Sequence, residues 1–235
     1  MFALACLTSI LAGVTAAAAA EPRPGRYFAQ GGTGDLLISK SQAGLRFSID
    51  AVGANGHTCS LEGSLEGTEG RTEATDDGVC RVAIAPMEDG YDVEALTQAA
   101  CRNWCGMRGQ FEYSYRPMPA QCAEPRYKAR QAEFLSHYKA KRYEAALATA
   151  TKLRDECSHL RWFPDVDALA NDIAITLYHL GRPQECLEAI SKTVAYDYRS
   201  PEDAELPPVE YESYLPVAKA TITNRGLCQK KLGKR

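Results

Sequence analysis

Beyond residue 20 the chain has no apolar run long enough to cross a membrane, so no stable span is expected in the mature protein. It has only four histidines, His57, His137, His159 and His179, and no two stand at metal-ligand spacing on one helix, so no metal site is expected. No serine sits in a Gly-x-Ser-x-Gly elbow, and no glycine-rich loop is built to cradle phosphate, so no cofactor is expected. Net charge is also small. The formal net charge is −3, and neither half carries the basic stripe of a nucleic-acid binder. Carboxylate pairs such as Asp76-Asp77 leave a carboxylate-based hydrolase as the one enzymatic class still open, and the expectation is a protein that is not an enzyme.

What is present begins with residues 1–20, an uninterrupted apolar run closing on five alanines and followed by Glu21-Pro22-Arg23-Pro24. A small-residue end to an apolar stretch reads as a secretory signal peptide with cleavage before Glu21. A retained anchor is the rival reading, and the usual positive n-region is missing. Export places eight cysteines in an oxidising compartment, periplasmic or extracellular, where thiols pair. Cys59, Cys80, Cys101 and Cys105 precede Pro117, and Cys122, Cys157, Cys186 and Cys228 follow it. Four and four let each half close its own bridges, with three pairings open to each set. Charge divides at the same place: residues 21–117 hold 14 acids and 9 bases, net −5, and residues 118–235 hold 16 acids and 18 bases, net +2.

The hydrophobic period changes there too. In residues 26–96 Leu45, Phe47 and Ile49 alternate with Arg46, Ser48 and Asp50, and Cys80, Val82 and Ile84 alternate with Arg81 and Ala83. Period two puts one set on a buried face. Turn signals at Gly31-Gly32, Gln42-Ala43-Gly44, Asn55-Gly56, Asp77-Gly78 and Asp89-Gly90 divide the run into about seven strands. A short helix over 98–105 and an eighth strand over 110–115 follow. Short antiparallel strands of this kind close as a barrel or pack as a sandwich. After Pro117-Met118-Pro119 the period becomes helical: a first block over 125–158, a second over 165–196 broken at Leu180-Gly181-Arg182-Pro183, and a last helix over 216–232. Tyr196–Tyr214, with three prolines and six acids, reads as a long loop. The predicted fold class is therefore α+β in two domains, a β-barrel or sandwich over 21–117 and helical hairpins over 118–235.

Asn171-Asp172-Ile173-Ala174 through Tyr178, Gly181, Cys186 and Ile190 resembles a degenerate tetratricopeptide repeat, and Tyr138, Tyr143, Ala146 and Ala150 follow the same pattern more loosely. The turn positions Lys141, Gly181 and Gly233 lie 40 and 52 residues apart, where such repeats run near 34. The β half resembles the calycin-like barrels of bacterial periplasmic lysozyme inhibitors. The segment from Cys101 to Glu112 is similar to envelope proteins that join such a barrel to a helical tail. These resemblances imply a non-enzymatic protein-binding role, led by an inhibitor or immunity-type binder of a lysozyme or another cationic cell-wall hydrolase. The alternative they imply is a periplasmic scaffold that binds peptides through its helical half.

Two groups of residues are candidates for contact. Glu62, Glu66, Glu69 and Glu73, with Asp76 and Asp77, fall within sixteen residues that hold one base, Arg71. An acidic patch steers a cationic partner, although most charge runs only hydrate a surface. Trp104 and Arg108 stand beside a cysteine bend near Tyr113 and Tyr115, and Trp, Arg and Tyr dominate binding hot spots as well as capping cores. Cys101 and Cys105 share a helix face, but their spacing exceeds that of a redox pair, so structural disulfides are expected. Asn171 and Asp172 are expected to serve helix packing rather than a ligand.

Overall fold

A computed structural model describes residues 21–233, and the expected leader, residues 1–20, lies outside the described residues. Eight strands follow in order: β1 Gly25–Ala29, β2 Gly34–Ser41, β3 Gly44–Val52, β4 Thr58–Glu66, β5 Glu69–Thr75, β6 Gly78–Met87, β7 Gly90–Ala95 and β8 Ser114–Pro117. Each pairs antiparallel with the next, and β8 returns to β1, so the sheet closes as an up-and-down barrel.

Alternation in the sequence becomes the inside and outside of this barrel. Leu36, Ile38, Phe47, Ile49, Leu61, Val82, Ile84 and Val93 are buried in one cluster and fill the interior. Eight strands enclose a space just wide enough for side chains to fill. Gly70 makes room for the largest of them, since a Cβ there would lie 2.7 Å from the Phe47 ring. Tyr115 is fully buried and its hydroxyl donates to the Phe111 carbonyl at 2.8 Å.

The eighth strand lies later than the sequence suggested. Cys105 is bridged to Cys59, and the Gly106 N–H donates to the Thr58 carbonyl at 2.8 Å, so this stretch is laid beside β4. Regular pairing to β7 and β1 starts only at Ser114. The helix before it, α1, is Gln98–Arg102, and Cys80–Cys101 ties it to β6.

Five helices make the second half: α2 Glu124–Lys139, α3 Tyr143–Cys157, α4 Phe163–His179, α5 Pro183–Ile190 and α6 Pro208–Leu232. The first two form one hairpin and the next two another. Both hairpins turn in the same way. Arg142 donates its N–H to the His137 carbonyl and Lys141 to that of Tyr138; Arg182 donates to Leu177 and Gly181 to Tyr178. Each is the nested pair of bonds of a Schellman cap, with Lys141 (φ 59°) and Gly181 (φ 77°) in the left-handed position. Cys122–Cys157 joins the start of α2 to the end of α3, and Cys186–Cys228 joins α5 to α6. All four bridges thus stay within their own half.

Two expectations change in the helical half. Tyr196–Tyr214 is not one long loop: a 3-10 turn occupies Pro201–Asp203, and α6 already begins at Pro208, well before Pro216. Proline at a helix's first turn gives up only an N–H that has no helical partner. Pro216 is exposed, as is Glu212 one turn earlier, so the carbonyl it leaves unpaired faces water. Asn171 and Asp172 sit in the middle of α4 and serve packing as expected. Asn171 donates to the Thr221 hydroxyl at 2.9 Å and accepts from the Asn224 amide at 3.1 Å, so polar side chains lock α4 to α6.

The two halves meet along a seam. Its closest point is Gly32, where a Cβ would lie 2.9 Å from the Trp162 nitrogen and 3.1 Å from the Leu160 carbonyl oxygen. Gly56 lies against Val209 at the other end, and Phe28 and Met118 pack onto the helical core.

Candidate functional site

Between those two points of contact the seam opens into a cleft of about 780 Å³. That volume lies within the usual range of ligand sites. The barrel contributes the turn Gly31–Thr33, the end of β3 at Val52 with Gly53 and Ala54, and Gln110 and Tyr113. The helices contribute Arg161, Trp162 and the first turns of α4 (Phe163, Val166, Asp167), Lys192 and Val194 after α5, and Val209 and Glu210 at the start of α6.

The walls are apolar and accessible. Val52 is 47% exposed, Val194 41% and Val209 60%, so three of the seven large hydrophobic side chains exposed among the described residues converge here. Trp162 and Phe163 meet edge to face at 5.4 Å, and Phe163 continues onto the buried ring of Tyr214 at 5.2 Å. Half-buried aromatic side chains thus stand beside exposed aliphatic ones along the cleft.

Polar groups are few and placed. Asp167 is buried and lines the cleft. Its Oδ2 accepts from the Tyr214 hydroxyl and, at 2.9 Å, from the Val194 N–H. The Ala195 N–H donates to the Tyr214 oxygen at 3.1 Å. These bonds hold the turn that carries Lys192 and Val194 to the cleft. Burial pushes the Asp167 carboxyl up, and the bonds from Tyr214 and Val194 pull it back. Arg161 is committed elsewhere: it donates to Glu124 at 2.8 Å and to the Cys122 carbonyl at 2.7 Å, and lies 3.7 Å over the Tyr127 ring. Lys192 and Glu210 form no ion pair among the described residues.

A second groove, about 810 Å³, crosses α3, α4 and α5 over Leu147, Ile173, Leu177 and Ala189. Most of its rim charges are spent on one another: Arg154 with Asp155, Arg182 with Glu185 and Glu144, and Lys152 with Glu156.

Of the residues singled out from the sequence for contact, Tyr113 lines the cleft, and Glu62, Glu66, Glu69, Glu73, Trp104 and Arg108 lie outside it. Glu62, Glu66 and Glu73 are exposed on the outer face of β4 and β5. Glu69 is not free, because Arg71 holds it at 2.8 Å and Arg81 at 2.7 Å, and the bond from Arg81 takes its carboxyl down to about 2. Trp104 packs on the barrel core with its Nε1 buried and, among the described residues, unpartnered; Arg108 is exposed. Sequence reasoning missed Trp162, Asp167 and the three valines. The signal was there in Trp162-Phe163-Pro164, an aromatic pair at a helix start with no place in the helical period. Comparison with family models, with curated proteins and with solved structures finds no match.

Proposed function

We propose that this is an exported binding protein, periplasmic or secreted, that takes a segment of a partner protein into the cleft between its barrel and its helices. The observation that carries the reading is the convergence of Val52, Val194 and Val209, from three separate elements, on one cleft backed by Trp162 and Phe163. Exposed apolar side chains cost little singly, but a concave cluster marks a contact. Four disulfides fit an oxidising compartment, and no helix among the described residues is long and apolar enough to cross a membrane.

A second reading keeps the barrel's acidic face as the contact, with a cationic cell-wall hydrolase such as a lysozyme as partner. Glu62, Glu66 and Glu73 favour it, because none of them is spent on an ion pair among the described residues. Charge of this kind acts on encounter rate more than on the bound state.

One experiment separates the two. Mature protein, Val209→Asp and a Glu62→Gln/Glu66→Gln/Glu73→Gln variant are each titrated with capped apolar tetrapeptides and with a panel of lysozymes. The cleft reading expects peptide binding that Val209→Asp weakens about tenfold or more and that the triple variant leaves unchanged, a charge in an apolar contact being costly. Lysozyme binding slowed only by the triple variant, with no peptide bound, would transfer the function to the barrel face.

A further inference from the structure

Asp167 is more than a clamp for the turn after α5. Only Oδ2 takes the bonds from Tyr214 and Val194, and no donor among the described residues reaches Oδ1. The residue is 6% exposed, and it lines the cleft. Oδ1 is not among the buried polar atoms that lack a partner, so it stays open to solvent, and a ligand that covers it must supply a donor. Here no cation is within ion-pair reach. Arg161 is turned to Glu124 and Cys122 and stacked on Tyr127. Lys192 is exposed at the rim and forms no salt bridge. Of the four charged side chains lining the cleft, Arg161 is already neutralised. Two acids, Asp167 and Glu210, then face one base, Lys192.

Taking the cleft as the binding site proposed above, we infer that Asp167 is its polar anchor and selects a partner segment that carries a basic side chain between apolar ones. The aliphatic stem of a lysine would lie along Val166, Val194 and Val209, and its ammonium would supply the missing donor to Oδ1. Long basic side chains bury their stems on apolar surface in just this way. An acidic or purely apolar segment would leave Oδ1 desolvated and unpaired.

The test uses the whole mature chain and two capped, amidated tetrapeptides, Val-Lys-Val-Leu and the same peptide with norleucine in place of lysine. Binding is followed by calorimetry and by indole emission in a Trp104→Phe background, which leaves Trp162, lining the cleft, as the one indole. The lysine peptide is expected to bind about 10- to 100-fold more tightly, the range for one hydrogen bond to a charged group. Asp167→Asn keeps an acceptor for Tyr214 and Val194 but turns an amide towards the cleft, and should erase the preference. Because the peptide swap is read by calorimetry on the unaltered protein, the answer does not depend on either variant folding. Equal binding of both peptides would overturn the anchor and leave the cleft reading standing. Binding of neither would overturn the cleft reading itself, and the anchor with it.

Discussion

Asp172 sits one residue from the α4–α6 lock and has the opposite character. Its carboxyl is held by no donor among the described residues, and burial pushes it up to about 6. In the unfolded chain it titrates near 3.8. Between those values the folded state binds the proton and the unfolded state does not, so this group's contribution to stability falls as pH rises from about 4 to about 6. Asp167 shifts in the same direction, also through burial. Glu69 acts oppositely: its ion pairs stabilise the fold above its ordinary value of 4.5, and that support is lost as pH falls towards about 2. Asp172→Asn should therefore match the parent near pH 4 and exceed it above pH 6, by on the order of 2 kcal/mol. Urea denaturation of both proteins at pH 4, 5, 6 and 7.5 checks the sign. A gap that narrows with rising pH would contradict it. The sequence marked Asp172 for helix packing but not for its titration, because desolvation is a property of what packs against a side chain.

The two hairpins share one device with different residues in it. Gly181 takes the left-handed position of its cap as glycine does in most helices, while Lys141 takes the equivalent position at φ 59°. An L side chain there costs about 1–2 kcal/mol, of which glycine's greater freedom in the unfolded chain returns part. Lys141→Gly is expected to stabilise the protein by about 0.5–1 kcal/mol, seen as a higher urea midpoint with an unchanged slope. No gain would mean that the lysine side chain contributes contacts of its own. Elements of this kind were legible in outline. Period two marked the strands, and the glycine turns at Gln42-Ala43-Gly44, Asp77-Gly78 and Asp89-Gly90 fall between β2 and β3, β5 and β6, and β6 and β7. The start of α6 was not legible, because Pro207-Pro208 and the acids around them have loop composition, and packing of Tyr214 against Ala195 and Ala218 overrides it. The eighth strand was misplaced because a disulfide, not a periodicity, decides where Cys105 lies.

At the scale of the molecule, the barrel and the helices have hydrophobic cores of their own, with Phe28 of β1 packed onto the helical one. The cleft escaped sequence reading for a simple reason. Its lining comes from short pieces near residues 31, 52, 110, 161, 192 and 209, each unremarkable alone and assembled only by the seam. The seam rests on a close approach at Gly32, which has φ 68° and backbone from the other half within 3.2 Å of where a Cβ would stand. Gly32→Ala should push the halves apart without touching either core. Circular dichroism should be unchanged, and peptide binding should fall at least tenfold, since displacement of one wall removes several contacts at once. Unchanged binding would show that the cleft does not depend on this contact.

Among the described residues, no covalent bond other than the main chain crosses the seam. Under a load applied along the chain, the bridges therefore shorten the thread within each half but not between the halves. The contact of Gly32 with Leu160 and Trp162 resists only by packing, whereas the loops closed by bridges spanning 46, 35 and 42 residues cannot lengthen until a sulfur bond breaks. Tension is therefore expected to part the cleft's two walls before any bridged loop lengthens.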